Sequence, residues 1–154
     1  MKSQVTPGIL KRFHRPAGKF QQTFHTPLDR LPVFVAALLA GSPPTTAGAV
    51  TLKAIGSTPH HLPRLLATYD LPQELLPELT ITATGAQEVQ ALLVAALSDW
   101  LDFYFLPKPN RFLIYADHDE FTTIFSARKT AVSRIAAAMA VAGVADVPGF
   151  SRHT

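Results

Sequence analysis

From Leu79 onward, the spacing of hydrophobic residues switches between the period of a strand and the period of a helix. LTITAT (79–84) alternates as a half-buried strand does, whereas residues 86–105 follow the 3.6-residue period of a helix. RFLIYA (111–116) and FTTIFS (121–126) are rich in β-branched and aromatic residues, which is typical of strands. Because the two runs are separated by only four residues, they predict a β-hairpin.

The residues after the hairpin continue the alternation of strands and helices. Ser126 can cap a last helix over about 127–142, and VADVPGF (144–150) is compatible with a short strand that Pro148 would confine to a sheet edge. The order is then strand, helix, strand, strand, helix, strand. That order predicts a ferredoxin-like (split βαβ) arrangement for residues 79–150.

The long helix predicted over 86–105 has one apolar face. Glu88, Asp99 and Asp102 fall outside this face and are predicted to be solvated, and two prolines follow the helix and end it. The apolar face consists of Val89, Leu92, Leu93, Ala96, Leu97, Trp100, Leu101 and Tyr104.

The preceding segment adds two helices and a strand. Thr26 is a good N-cap for a helix that runs to about Ala40, AVTLKAI (49–55) predicts a strand, and a second helix is expected over 57–69. We therefore predict a single α+β domain over 27–154, with a mixed or antiparallel sheet and helices on one or both of its faces.

Residues 1–26 lack hydrophobic periodicity and contain prolines and glycines, as an extended arm does. The first 30 residues hold six basic residues and one acidic residue (net +5), whereas the rest of the chain holds eight basic and ten acidic residues (net −2). Basic and aromatic residues are interleaved in the arm: Lys11, Arg12, Phe13, Arg15, Lys19, Phe20 and Phe24. This pattern predicts docking on a protein partner or, alternatively, binding to nucleic acid with the rings stacked on bases. The remaining interpretation is an unattached tail that only adds solubility.

The charged residues between the two hairpin strands have two interpretations. A four-residue loop would pair Ala116 with Phe121 and leave Asp117 and Glu120 outside the ladder, with the aspartate stabilising the turn. In that register Thr123 and Phe125 share a face with Ala116, and turn chemistry alone accounts for the cluster.

The alternative is a metal site. Asp117, Asp119 and Glu120 supply oxygen ligands suited to divalent cations, and the predicted topology brings Glu88 and Asp146 to the same end of the sheet. Such a carboxylate set would activate water in a metal-dependent hydrolase. The spacing matches no established metal-binding motif.

Two further features are ambiguous. His60 and His61 stand at a predicted helix start, where they are either a solvated first turn or a phosphate site on helical N–H groups. The last helix carries small apolar residues on the side opposite its core stripe, which either reflects alanine's helix propensity or provides a surface for self-association.

The chain has 154 residues and no cysteine, which excludes disulfides, thiolate nucleophiles and cysteine-ligated metals and fits a reducing cytoplasm. Residues 31–41 with Ala47 and Ala49 imitate a signal peptide, but the basic region before them is long and Asp29 adjoins the apolar run. No apolar run reaches the roughly 20 residues that span a bilayer. We therefore expect a cytoplasmic protein that does not enter membranes.

These patterns predict a binding or assembly subunit without catalysis and without a cofactor. The partner would be another protein, possibly a second copy of the chain, engaged through residues 1–26. Nucleic-acid binding through the same residues and hydrolysis at residues 117–120 are the alternatives.

Overall fold

The structure, a computed structural model, describes residues 1–13, 20–40, 44–56 and 58–152. These residues form an α+β fold with a seven-stranded, wholly antiparallel sheet and four α-helices. The strands are β1 (Lys2–Val5), β2 (Phe20–His25), β3 (Ala47–Ala54), β4 (Leu79–Thr84), β5 (Asp102–Lys108), β6 (Leu113–Ala116) and β7 (Phe121–Ser126). The helices are α1 (Leu31–Leu38), α2 (His61–Thr68), α3 (Ala86–Ser98) and α4 (Lys129–Val141), and the strand order is β1-β4-β3-β5-β6-β7-β2.

One face of the sheet, which we call the helix face, carries the main hydrophobic core. Helix α3 packs on β3 and β4, and α4 packs on β2 and β7. Helix α1 contacts both α3 and α4, whereas α2 packs against α3. The strands contribute alternate residues to this core, among them Val50, Ile81, Phe103, Phe105 and Ile124, all of which are buried. The alternation is the expected result of a sheet that buries one face under helices.

The opposite face, which we call the open face, carries a smaller aromatic cluster. Tyr104, Leu113, Tyr115 and Phe125 are buried there, although no α-helix packs on them among the described residues. A 3₁₀ turn at Ile9–Phe13 covers part of the cluster, and the ring of Phe13 stacks on Tyr104 at 4.5 Å between centroids. Residues 9–13 therefore lie over the open face, between β1 at one sheet edge and β2 at the other in chain order.

Arg152, near the C-terminus, covers a further part of the open face. Arg152 places its guanidinium 4.6 Å from the Tyr115 ring centroid, donates from Nε to Thr123 Oγ1 at 2.7 Å, and pairs with Asp117. Its main chain exchanges two hydrogen bonds with the Gln21 side chain. Cation–π contact and partly buried hydrogen bonds thus fix Arg152 against β2, β6 and β7.

The predicted extended arm is not confirmed. Residues 2–5 and 20–25 are the two outermost strands of the sheet, and the Phe24 side chain is 2% exposed in the main core. On the outer side of β2, the backbone of Ala145 and Val147 bonds to His25 and Thr23, so a further segment covers that edge. Residues 1–26 therefore belong to the folded body in their described part.

The ferredoxin-like order is also not confirmed. The helix predicted over 86–105 ends at Ser98, and residues 102–108 form β5, the central strand of the sheet. Trp100, with φ at +57°, reverses the chain between the two elements. The predicted final strand is reduced to a single bridge between Asp146 and Phe24. Strand β3 also lies between β4 and β5, so the sheet does not follow the split βαβ pattern.

The hairpin is present, but its predicted register was wrong by one residue. Ala116 pairs with Thr122, not Phe121, and the Asp117 N–H donates to the Phe121 carbonyl at 3.2 Å, which leaves a three-residue loop. Glu120 ends that loop with φ at +65°, the left-handed residue that such loops require. A one-residue shift exchanges the two faces of a strand, so Thr123 and Phe125 lie on the open face, away from Ala116.

We predict that Glu120→Gly raises the free energy of unfolding by up to about 1 kcal/mol, because glycine removes the strain of a left-handed residue and keeps the backbone bond from Thr26 N to the carbonyl of residue 120. Urea unfolding measures the change. Asp119→Gly, one residue earlier and without a positive φ, is the matched control and should lower stability. Equal effects of the two substitutions would contradict this interpretation.

Candidate functional site

The outer side of α3 is almost free of charge. Within Ala86–Ser98, Glu88 is the only charged residue. Helix α3 buries one side against the sheet, while Gln87, Gln90, Ala91, Val94 and Ser98 lie outward at spacings of three, four, seven and eleven residues. A helix side that faces water normally carries charged residues. The composition therefore indicates a contact surface.

This surface forms the floor of a groove of about 650 Å³. Helix α1 contributes Pro32 to one wall, and α2 forms the other wall. The residues that line the groove are Pro32, His61, Arg64, Leu65, Thr68, Gln87, Gln90, Ala91, Val94, Ala95 and Ser98. The volume lies within the range of protein binding sites, and the small side chains of Ala91 and Ala95 let a bound chain approach the α3 backbone closely.

A buried carboxylate positions the α2 wall. Asp99 follows the last residue of α3 and is 5% exposed. Its Oδ1 accepts hydrogen bonds from the backbone N–H groups of His60 and His61 at 3.0 and 2.9 Å, and its Oδ2 accepts one from Leu62 at 2.7 Å. Helix α2 has no cap from its own N-cap side chain, so a residue of α3 satisfies its first N–H groups.

Two opposing effects determine the ionisation of Asp99. Burial is the largest single influence and raises the pKa, but the hydrogen bonds from Leu62, His61 and His60 together outweigh it, and the pKa lies below its ordinary value. The carboxylate is therefore ionised at neutral pH, and its negative charge faces the positive end of the α2 dipole.

His61 links this cap to the groove. Its Nδ1 lies 2.9 Å from Asp99 Oδ1, which orients the ring and leaves Nε2 as the nitrogen that a ligand can reach. The hydroxyl of Ser98, which also lines the groove, donates its proton to the Val94 carbonyl at 2.7 Å within its own helix. The groove therefore presents an oriented imidazole for binding, and its serine is not activated as a nucleophile.

The Asp99 carboxylate occupies the position where a phosphate was one interpretation of His60 and His61. The N–H groups that would hold a phosphate already donate to the Asp99 carboxylate. Asp99 was expected to be solvated, and that expectation was wrong because its side chain is buried under α2.

Two carboxylates of the predicted metal site, those of Asp117 and Glu88, have partners within the protein. Asp117 Oδ1 accepts from the N–H groups of Asp119 and Phe121, and Asp117 Oδ2 pairs with Arg152. Glu88 accepts from Thr84 N and lies 3.4 Å from the N-terminal amine. No group of three or more His, Asp or Glu side chains that could hold a metal is found in the described part of the chain, which includes Glu120 and Asp146. The hydrolase hypothesis gains no geometric support from this arrangement.

The residues predicted to bind a partner through the N-terminal segment are dispersed. Lys11 and Arg12 are exposed on the 3₁₀ turn, whereas Phe13 stacks on Tyr104 and Phe24 is buried in the core. Phe20 is half-buried in β2, and Arg15 and Lys19 lie outside the described residues. At least two of the phenylalanines are therefore used within the fold.

Sequence reasoning missed the groove. The available signal was the run from Val89 to Ser98, ten residues without a charge in a helix whose core stripe needs only half of them. No sequence pattern indicates that Asp99 caps α2, because its hydrogen-bond partners lie almost forty residues away in the chain.

Comparisons with protein-family models, with curated proteins and with solved structures find no match to this chain. No helix in the described ranges combines the length and apolar character that crossing a bilayer requires. The function must therefore be inferred from the geometry of the site.

We predict that Asp99→Asn lowers the free energy of unfolding by about 2 kcal/mol, because it weakens three charge-assisted hydrogen bonds that hold α2. Urea unfolding at pH 7 measures the loss. Asp146→Asn, which neutralises an exposed carboxylate, is the control and should change stability by less than about 0.5 kcal/mol.

The wild type and Asp99→Asn also test how the stability contribution of Asp99 depends on pH. The folded-state pKa of Asp99 is lowered, so its contribution is present above the unfolded-state pKa of about 3.9 and is lost as pH falls through the folded-state pKa. The stability difference between the wild type and Asp99→Asn should therefore shrink as pH falls from 5 to 2. A difference that stays constant over this range would contradict the role given to the charge.

We also predict that His118 titrates above its ordinary pKa of about 6.5. A hydrogen bond between its Nδ1 and Asp102 Oδ1, at 2.9 Å, is the main cause, and the charges of Asp102 and Asp119 add to it. Proton NMR titration of the imidazole measures the pKa. Asp102→Asn should return it most of the way to the ordinary value, and Asp119→Asn should change it less; the reverse ranking would refute the assignment.

Proposed function

We propose that this protein is a non-enzymatic binding subunit that holds an amphipathic helix of a protein partner in the groove over α3. One observation carries the proposal: α3 turns an uncharged side of small and amide residues outward between two flanking helices. Helix-in-groove recognition uses this kind of surface, because apolar residues one turn apart on the partner fit between the walls.

The dimensions support a helical ligand. The floor extends from Gln87 to Ser98, which corresponds to about 16 Å or three helical turns at 1.5 Å per residue. Ala91 and Ala95 occupy the middle of that length, where a bulky side chain would hold a second helix away from α3. An extended peptide would leave its main-chain polar groups unpaired, since the groove is lined by helices and offers no strand edge.

The charges favour an acidic partner. Arg64 is exposed at the rim beside the His61 ring, and no carboxylate is among the groove-lining residues of the described chain. Charges at the edge of an interface steer the encounter and select between partners. The bound helix is therefore expected to carry Asp or Glu beside its apolar stripe.

A second copy of this chain fits the groove less well. Helix α4 has an apolar outer side, with Val141 91% exposed, but it contains Lys129 and Arg134 and no acidic residue. Docking α4 into the groove of another copy would bring like charges together. The charge pattern thus favours a different protein over self-association.

The N-terminal segment is a weaker candidate for the same function. Lys11 and Arg12 remain exposed there, but Phe13 and Phe24, which were to dock on a partner or stack on bases, already pack on Tyr104 and in the core. Nucleic-acid binding would then rely mainly on charge, because at most one of the three predicted phenylalanines is left for stacking.

A display library of 16-residue peptides tests the proposal, with selection on the wild type and counter-selection on Ala91→Glu. Ala91 is half-buried in the floor, so a carboxylate there repels an acidic helix and fills the space that it needs. Selected peptides should be amphipathic, acidic and helical when bound. Titration calorimetry should show that they bind Ala91→Glu at least about tenfold more weakly than they bind the wild type.

Ala137→Glu, which adds the same charge to the exposed side of α4, is the matched control and should bind the peptides as the wild type does. Failure to select any peptide, or equal binding to both variants, would reject the groove. Arg64→Glu should weaken binding of acidic peptides and strengthen binding of basic ones; no change would reject the charge preference.

A further inference from the structure

A second cavity, of about 470 Å³, lies between the β5–β6 loop and the start of α4, outside the groove. It is lined by Pro109, Asn110, Arg111, Ser126, Ala127, Arg128, Thr130, Ala131 and Arg134. Three of these nine residues are arginines, and none of the lining residues in the described chain is acidic. Nothing in the proposed groove function uses this concentration of guanidinium groups.

The fold holds one of the arginines in place. Arg111 donates from Nη2 to Thr45 Oγ1 at 2.9 Å, and its guanidinium lies 5.7 Å from the Phe112 ring centroid. The Ser126 hydroxyl donates to the Arg111 carbonyl at 2.8 Å and accepts from the Arg128 N–H at 3.1 Å. Ser126 therefore connects the backbones of Arg111 and Arg128, one on each side of the cavity.

The start of α4 adds to the positive charge. Arg128 is the N-cap residue, Lys129 follows it, and the first turn contains no acidic residue. Of the other three helices, α2 and α3 begin beside a carboxylate: Asp99 caps α2, and Glu88 lies in the first turn of α3. At α4 the positive end of the helix dipole and the arginine side chains lie together, an arrangement that an anion would stabilise.

We propose that this cavity binds a small molecule that carries a phosphate ester. Guanidinium groups bind phosphate oxygens through paired hydrogen bonds, and a dianion with three outer oxygens suits several arginines better than a single carboxylate does. The cavity is larger than a phosphate group needs, so it also accommodates the attached organic part. Asn110 and Thr130 supply neutral hydrogen-bonding groups beside it.

Titration calorimetry with phenyl phosphate at fixed ionic strength tests the proposal. Benzoate is the monoanionic comparison, and inorganic phosphate separates the ester from the free ion. The test variant is Arg128→Gln with Arg134→Gln, both exposed, and the control is Lys11→Gln with Arg12→Gln, which removes the same charge from residues that do not line the cavity. Circular dichroism melting confirms that each variant is folded.

The proposal is supported if the test variant binds phenyl phosphate about tenfold or more weakly than the wild type does, while the control binds it as the wild type does. The wild type should bind benzoate at least about tenfold more weakly than phenyl phosphate. In the wild type, NMR shifts on phenyl phosphate addition should centre on the amides of residues 128–131, which locates the site independently of any variant.

Absence of binding at millimolar phenyl phosphate, equal affinity for benzoate, or an equal loss in the control would overturn the proposal. Equal affinity for inorganic phosphate would overturn the assignment to an ester. A short DNA duplex that displaces phenyl phosphate with a steep salt dependence would replace the small molecule with nucleic acid as the ligand.

Discussion

The arrangement of the helical layer depends on one buried carboxylate. Asp99 ends α3 and caps α2, so two helices that the chain separates by a strand and a loop are joined at one point. An ionised group with so little exposure is tolerated only when its oxygens are satisfied, and here three backbone N–H groups and the His61 ring do so. The same contact sets the position of the groove wall and the orientation of the imidazole at its rim.

Much of the fold could be predicted from hydrophobic periodicity. The strands at 79–84 and 121–126 were predicted with the bounds that the structure shows, and an α-helix occurs in each of the four segments where a long helix was expected. The boundary between α3 and β5 could not be predicted, because Leu101 and Tyr104 continue the helical period after the helix has ended. The buried aromatic run 103–105 is central in the sheet, and long-range pairing with β3 overrides the local pattern.

The candidate sites were much less predictable. Acidic residues clustered in sequence suggested a metal site, yet Asp117 stabilises a turn and pairs with Arg152, thirty-five residues later. The groove and the arginine cavity each combine residues from separated elements, so neither forms a motif. The sequence does show segments that lack charged residues, as in α3, and positions where charged residues are adjacent, as at Arg128 and Lys129. Such signals become interpretable only when the fold shows which neighbours share the surface.

The positions of β1 and β2 as the two outermost strands of the sheet have a consequence for biosynthesis. Lys2 pairs with Thr82, and Phe20 pairs with Ser126, so β1 and β2 leave the ribosome well before their partner strands are made. The inner strands can assemble first, whereas β1 must wait for β4 and β2 must wait for β7. Such non-local pairing slows folding, because the chain loses the entropy of closing a long loop before the contacts between the paired strands form. Vectorial synthesis therefore leaves β1 and β2 unpaired until β4 and β7 have been made, with Phe24 of β2 exposed in the meantime.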